Sequence, residues 1–230
     1  MKDLVLIPGW GFDARVWQPL VRLLGKDFRI HSAGDDLPAN AVICGWSLGA
    51  LTALQWALNQ PEKIARLVLI GATPRFMQAP DWPHGQPPAL LEEFAAAVAA
   101  NPRAALRRFA TLLNQGDVDS RRLTRELAAL LDDPLSPAPS PARGEGSVVA
   151  LVAGLQTLRD TDLRQDVDRI RQPVLLLHGA HDALMPLAAA EWLAEHLPVA
   201  RLEVLSGVAH APFLAQPERC ADLLARFADE

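Results

Sequence analysis

The chain has 230 residues, enough for one α/β domain carrying an inserted lobe. Half of the residues are hydrophobic, 21% are charged and the net charge is −5, which fits a folded globular protein and excludes binding to nucleic acid through a global basic field. Two cysteines give no disulfide framework or cysteine-rich zinc site, and no apolar run approaches the roughly 20 residues needed to span a bilayer.

Met1-Lys2-Asp3 precedes an apolar run too brief for a signal-peptide core, so a cytoplasmic location is expected. That run, Asp3-Leu4-Val5-Leu6-Ile7, is closed by Pro8-Gly9, the pattern of a strand buried on both faces. Gly9-Trp10-Gly11 opens a loop, and Ala14 to Leu24 places Val16, Trp17, Leu20, Leu23 and Leu24 on one helical stripe. Phe28 to Ala33 reads as a second strand whose polar residues suit a sheet edge. Ala41-Val42-Ile43-Cys44 predicts a third strand, Leu51 to Leu58 a helix, and Arg66 to Ala72 a fourth strand. From Arg75 to about Ile170 the pattern holds no strand and predicts helices near Ala89–Ala100, Pro102–Asn114, Asp119–Leu131 and Ser147–Arg159. Strands resume at Pro173–Gly179 and Arg201–Leu205, with helices at about Pro186–His196 and Ala215–Ala228.

Strands alternating with helices at this spacing require a mostly parallel sheet, of about six strands, with right-handed crossovers. The expected organisation is an α/β core of residues 1–74 and 171–230, with a helical lid inserted at 75–170. Such a lobe belongs over the strand C-termini, where ligands bind in open α/β sheets. Residues 132–146, rich in Pro, Ala and Gly, are expected to form a mobile loop within it.

Between the third strand and its helix stands Gly45-Trp46-Ser47-Leu48-Gly49. G-x-S-x-G at such a junction is the nucleophile-elbow pattern, in which a sharp turn lifts the serine Oγ above the sheet. Ser47 is therefore the candidate nucleophile, while Cys44 reads as a buried small hydrophobe. A serine hydroxyl needs a base to take its proton, and the base needs an orienting carboxylate. In the elbow fold these follow in the order Ser, Asp, His, on loops after strands. Asp182 follows the fifth strand in Gly179-Ala180-His181-Asp182, and His210 follows the sixth in Ser206-Gly207-Val208-Ala209-His210. Taken alone, Asp182 also fits a helix N-cap and His210 a surface loop histidine. Asp160, Asp162, Asp166 and Asp168 precede the fifth strand and so point to the wrong end of the sheet; His31, His84 and His196 read as structural or exposed. Backbone N–H groups of Leu48 and Trp10 are the expected oxyanion donors, with the Trp10 indole either walling the pocket or packing in the core.

Together these residues resemble the α/β-hydrolase superfamily over nearly the full chain. More narrowly, Pro8-Gly9-Trp10-Gly11, Gly45-Trp46-Ser47-Leu48-Gly49, Asp162-Leu163-Arg164-Gln165 and Ala209-His210-Ala211-Pro212-Phe213 are similar to the pimeloyl-[acyl-carrier protein] methyl ester esterase family of biotin synthesis. The resemblance implies a serine carboxylesterase that cuts the methyl ester from a pimeloyl chain still attached to its carrier protein, without metal or organic cofactor. It makes Ser47, Asp182 and His210 a triad, sets Trp10 and Leu48 against the acyl ester, and has Phe109, Ala110, Thr111, Leu112 and Leu113 line the chain tunnel. It also implies an acidic acyl-carrier protein as partner, held by Arg108, Arg121 and Arg125, with Ala104 at a fourth matching position. Arg103 to Arg125 carries a net +4, for which a solvated helix face is the alternative. A monomer is expected, with no membrane and no nucleic acid as partner.

Three departures accompany the likeness. The two leading strands usual in the superfamily are absent, Pro8 stands where a His is common, and the connection from Ala33 to Ala41 is too short for the usual loop and helix. Competing readings are a broad short-chain carboxylesterase, a C–C bond hydrolase of the same fold, and a non-catalytic binding protein.

Overall fold

The apolar runs Leu4–Ile7, Ala41–Cys44, Leu67–Ile70 and Val174–Leu177 become strands of one sheet. The computed structural model describes residues 1–34, 37–132 and 145–230, apart from the side chains of 145–147. Strands β1 (Lys2–Ile7), β2 (Phe28–Ser32), β3 (Ala41–Trp46), β4 (Ile64–Ile70), β5 (Val174–Gly179) and β6 (Ala200–Leu205) lie in the order β2-β1-β3-β4-β5-β6. All neighbours pair in parallel. Every residue of β3 and β5 is buried, as expected where helices cover both faces of a parallel sheet. The more polar β2 is an edge strand with only Phe28 buried, as its composition predicts.

Around the sheet run α1 (Gln18–Leu24), α2 (Leu48–Asn59), α7 (Leu187–His196), α8 (Pro212–Ala215) and α9 (Pro217–Asp229). The helix predicted for 14–24 is divided, because Asp13 caps a 3₁₀ turn at Ala14–Trp17 by accepting the Arg15 N–H at 2.9 Å, and Pro19 then fits the first turn of α1. At the C-terminus Pro217 likewise starts α9 afresh, after the short α8, instead of one helix beginning at Ala215.

Between β4 and β5 stand α3 (Pro88–Ala100), α4 (Pro102–Leu113), α5 (Ser120–Asp132) and α6 (Glu145–Asp160). Leu106, Phe109 and Leu113 of α4 and Leu123, Leu127 and Leu131 of α5 are two buried stripes at helical spacing, and the two helices pack against each other. The Pro-rich loop expected at 132–146 does not include its outermost positions. Asp132 closes α5 and Glu145 and Gly146 open α6, while 133–144 lie outside the described residues.

Asp162-Leu163-Arg164 turns out to be a joint at the base of this lobe. The Asp162 carboxylate takes the Arg164 guanidinium at 2.8 Å and also pairs with Arg75, while Arg164 reaches Asp81 at 3.0 Å and lies over the Trp82 ring at 5.5 Å. The hydrogen bond from Arg164 holds the Asp162 carboxyl down at about 2, against an ordinary 3.8. A depressed carboxyl contributes stability above its unfolded pKa and loses it as pH falls through the folded one. With a third of the side chain in water, that contribution should be about 1–2 kcal/mol. Native protein should therefore exceed Asp162→Asn by this amount in urea unfolding at pH 7 and equally at pH 5, the gap closing between pH 4 and 2. A gap that stays open at pH 2 contradicts the joint.

Candidate active site

β3 and α2 meet at Ser47, whose backbone sits at φ 58°, ψ −120°, a left-handed conformation that costs an L-residue about 1–3 kcal/mol. The turn is held from both sides. Ser47 N–H donates to Ile70 O of β4 at 2.9 Å, and Ala50 N–H returns to Ser47 O at 2.9 Å. A Cβ on Gly45 would fall 2.2 Å from Gly49 O, and one on Gly49 would fall 2.2 Å from Ile7 O, so only glycine lets α2 pass this close to β3 and β1. Although Ser47 stands at the N-cap of α2, its side chain caps nothing, leaving Oγ uncommitted at the sheet's C-terminal edge.

The loops after β5 and β6 bring Asp182 and His210 together. Asp182 Oδ2 accepts from His210 Nδ1 at 2.6 Å, and Oδ1 accepts the N–H groups of Leu184 and Met185 at 3.0 and 2.8 Å. Burial opposes charge on Asp182, but the electrostatic pull of His210 and its hydrogen bond outweigh it and hold the carboxyl below its usual range. Both residues are buried, and Asp182 organises its own turn instead of capping α7, whose N-cap is Pro186. His210 O accepts the Trp46 indole N–H at 2.8 Å, which ties the histidine to the residue just before Ser47. His210 Nε2 is buried with no hydrogen-bond partner, and no hydrogen bond joins it to Ser47 Oγ in this conformation. A buried imidazole nitrogen left unpaired beside the elbow is costly, and is the group a catalytic proton acceptor needs to keep free.

His178, which the sequence presents only as the end of a strand, lies beneath this pair. Its Nε2 donates to Met185 O at 2.7 Å and stands 3.5 Å from Asp182 Oδ2. Burial pushes its pKa down, so the neutral ring supports the Met185 turn that in turn feeds Asp182. The signal was available only as a histidine in an otherwise aliphatic strand.

Trp10 and Leu48 flank the elbow. The site of a Gly9 Cβ lies 3.2 Å from Ser47 Cβ, and the N–H groups of Trp10 and Leu48 find no protein acceptor among the described residues. Trp10 is buried, lines a cavity with Ser47 and packs edge-on against Phe109 at 4.9 Å between ring centroids. Its indole N–H donates to Leu151 O of α6 at 2.8 Å. The cavity holds only about 20 Å³, close to the volume for a single water, and Leu90 and Phe94 divide it from a larger cleft of about 910 Å³.

That cleft separates the segment 109–113 into distinct roles. Phe109 lines the Ser47 cavity, Thr111 and Leu112 line the cleft, and Ala110 and Leu113 are buried without lining either. Arg108, Arg121 and Arg125 stand at the cleft's rim. Four of the window's six arginines are ion-paired, with Asp132, Glu93 and Glu126 outside it and Asp119 within it. Arg103 and Arg107 pair with Asp132, Arg108 with Glu93, and Arg122 with Asp119 and Glu126. Arg121 and Arg125, one turn apart on α5, are exposed and have no ion pair among the described residues. Among the described residues no cluster of three His, Cys, Asp or Glu is arranged to hold a metal ion, and no helix is long and apolar enough to cross a membrane.

A parallel sheet bearing a strained serine at a strand-to-helix turn, with a carboxylate and an imidazole on later loops, defines an α/β-hydrolase-fold protein, and the model of the alpha/beta hydrolase fold matches residues 37–217. The pimeloyl-[acyl-carrier protein] methyl ester esterase of Aromatoleum aromaticum is 42% identical over 249 residues, covering 96% of both chains. Its counterpart in Nitrosomonas europaea is 35% identical over 250 residues, covering 96% of this chain and 95% of its own. The chain belongs to the pimeloyl-[acyl-carrier protein] methyl ester esterase family. Among solved structures, the esterase EaEST of Exiguobacterium antarcticum shares the fold with a TM-score of 0.81 at 21% identity, over 100% of this chain and 92% of its own.

Gly154 of α6 sets how closely the lobe meets the loop beside the elbow. A Cβ there would lie 2.6 Å from Trp10 Cδ1 and 3.2 Å from Leu48 Cδ2. In an open helix Gly→Ala gains about 1 kcal/mol, whereas overpacking costs about 1–3 kcal/mol. Gly154→Ala should therefore destabilise the native protein in urea unfolding yet stabilise a Trp10→Leu background. Equal effects in the two backgrounds would remove the contact.

Proposed function

We propose that this chain is a serine carboxylesterase that removes the methyl ester from an acyl chain, pimeloyl by analogy with its relatives, while the chain is attached to acyl-carrier protein. The observation that carries the reading is the unpaired, buried Nε2 of His210, backed by Asp182 and tied through Trp46 to the uncommitted Ser47. His210 Nε2 takes the Ser47 proton as Oγ adds to the ester carbonyl, and Asp182 stabilises the imidazolium through Nδ1. The oxyanion receives the N–H groups of Leu48 and Trp10. His210 then returns the proton to the leaving methoxide, releasing methanol, and afterwards activates water to free the acyl-enzyme as the carboxylate.

The cavity at Ser47 is too small for an acyl chain, so α3 has to yield. Leu90 and Phe94 form the partition, and beyond them Thr111 and Leu112 supply an apolar wall in the cleft. In this reading the acyl chain runs from Ser47 past Phe109 into that cleft, and the carrier's acidic surface settles on its rim. Arg121 and Arg125, with no ion pair among the described residues, are the cations available for docking; Arg108 contributes once it releases Glu93.

A fluorophosphonate probe should label the native protein and leave Ser47→Ala unlabelled, while Asp182→Asn should lower kcat by on the order of 10⁴-fold. The gene should also restore biotin-independent growth to a strain lacking its own esterase. Labelling without rescue would favour a generic esterase, and no labelling would favour a binding protein.

Arg121→Glu combined with Arg125→Glu should cut kcat/KM roughly tenfold or more for the carrier-linked methyl ester and spare p-nitrophenyl butyrate, with the difference shrinking as salt rises. An equal loss on both substrates would remove the docking assignment.

A further inference from the structure

The turn between α4 and α5 is hydrogen-bonded to the loop that presents His210. Leu113 O accepts the His210 N–H at 3.1 Å, Val118 N–H donates to Gly207 O at 3.1 Å, and Asp117 Oδ2 accepts the Ala209 N–H at 3.0 Å. Gly116 O meets His181 Nδ1 at 2.9 Å, so the loop leading to Asp182 is touched as well. Residues 207–210 are thus braced from the helical lobe and not from the sheet alone.

Among the described residues, Asp117 alone hydrogen-bonds the 207–210 loop from this turn through a side chain. It is 7% exposed and takes part in no ion pair among the described residues. A carboxylate removed from water must be compensated by hydrogen bonds. Here Oδ1 accepts the Asp119 N–H at 2.8 Å and Oδ2 accepts the Ala209 N–H. The Oδ1 bond alone is an ordinary local turn that starts α5. It does not account for the second oxygen, which reaches across 92 positions of sequence to the residue before His210.

We propose that Asp117 is a positioning residue for His210, fixing the Ala209–His210 peptide so that Nε2 faces Ser47. The proposal rests on the esterase reading above. The imidazole is pinned at Nδ1 by Asp182, and its backbone carbonyl by Trp46. Neither contact holds the peptide that enters His210. The bonds from Ala209 N–H to Asp117 and from His210 N–H to Leu113 O fix that peptide from the helical lobe. A catalytic group displaced by about 1 Å loses on the order of 10²-fold in rate, so a single backbone anchor is enough to matter.

The test compares native protein, Asp117→Asn and Asp117→Ala by kcat and KM on p-nitrophenyl butyrate, by fluorophosphonate labelling of Ser47, and by melting temperature. Asp117→Ala should lower kcat and the labelling rate by on the order of 10–10²-fold with KM within about twofold. Asp117→Asn, whose one amide oxygen serves two competing N–H donors, should fall between it and the native protein. Native kcat in a folded Asp117→Ala would overturn the proposal. So would a loss that follows the folded fraction alone, with Asn no better than Ala. Should Asp117→Ala fail to fold, Asp117→Asn decides: a kcat about fivefold or more below native at unchanged KM supports the proposal, and native kcat overturns it. If the native protein itself is not labelled, the esterase reading fails and takes this proposal with it; labelling with unchanged Asp117→Ala kinetics fails the proposal alone.

Discussion

The molecule is arranged around a backbone conformation that a serine would not adopt by itself. At φ 58° Ser47 occupies a region disfavoured for any residue with a side chain, and it stays there because its neighbours leave no alternative. Its amide is taken by β4 and its carbonyl by the first turn of α2. The flanking glycines let helix and strands approach more closely than any side chain permits. Relaxing the serine would require separating α2 from β1 and β3, which means opening the middle of a sheet buried on both faces. The sheet's stability thus holds the hydroxyl in place, and the remaining groups are delivered to that fixed point by loops.

Those loops are secured from above as well as below. Trp10 is tied to α6 through its indole N–H, and the Ala209–His210 peptide is tied to the α4–α5 turn. The helical lobe therefore grips both the donor side and the base side of the elbow. Its own base is fixed by the Asp162–Arg164–Arg75 joint, so that residues outside the sheet set distances inside the site. Between the two grips lies a space of about one water.

The sheet and the elbow could be read from the sequence because their signals are local. Runs such as Val174–Gly179 announce a buried strand, and G-x-S-x-G encodes its own turn. Asp182 and His210 were legible because each follows a strand at a fixed topological place. What stayed hidden depends on which distant surfaces meet. Asp117 read as one of two acids within a basic window, and nothing near it in sequence points to Ala209. The six arginines of that window looked alike, yet four of them pair with Asp132, Glu93, Asp119 and Glu126, and only folding reveals that Arg121 and Arg125 have no ion pair among the described residues. Asp162-Leu163-Arg164 was recognisable as a family signature, while its work as a joint depends on Arg75, Asp81 and Trp82 arriving from a loop with no sequence periodicity.

The seat of Trp10 has an optical consequence. The chain contains six tryptophans and no tyrosine, so its near-ultraviolet emission is that of indole alone. Trp10 is buried, edge-on to Phe109 and hydrogen-bonded to the carbonyl of Leu151, so any departure of α6 breaks that bond and exposes the ring. Hydrated indoles emit further to the red than buried ones, so such a departure shifts the share of Trp10 in an emission to which five other tryptophans also contribute.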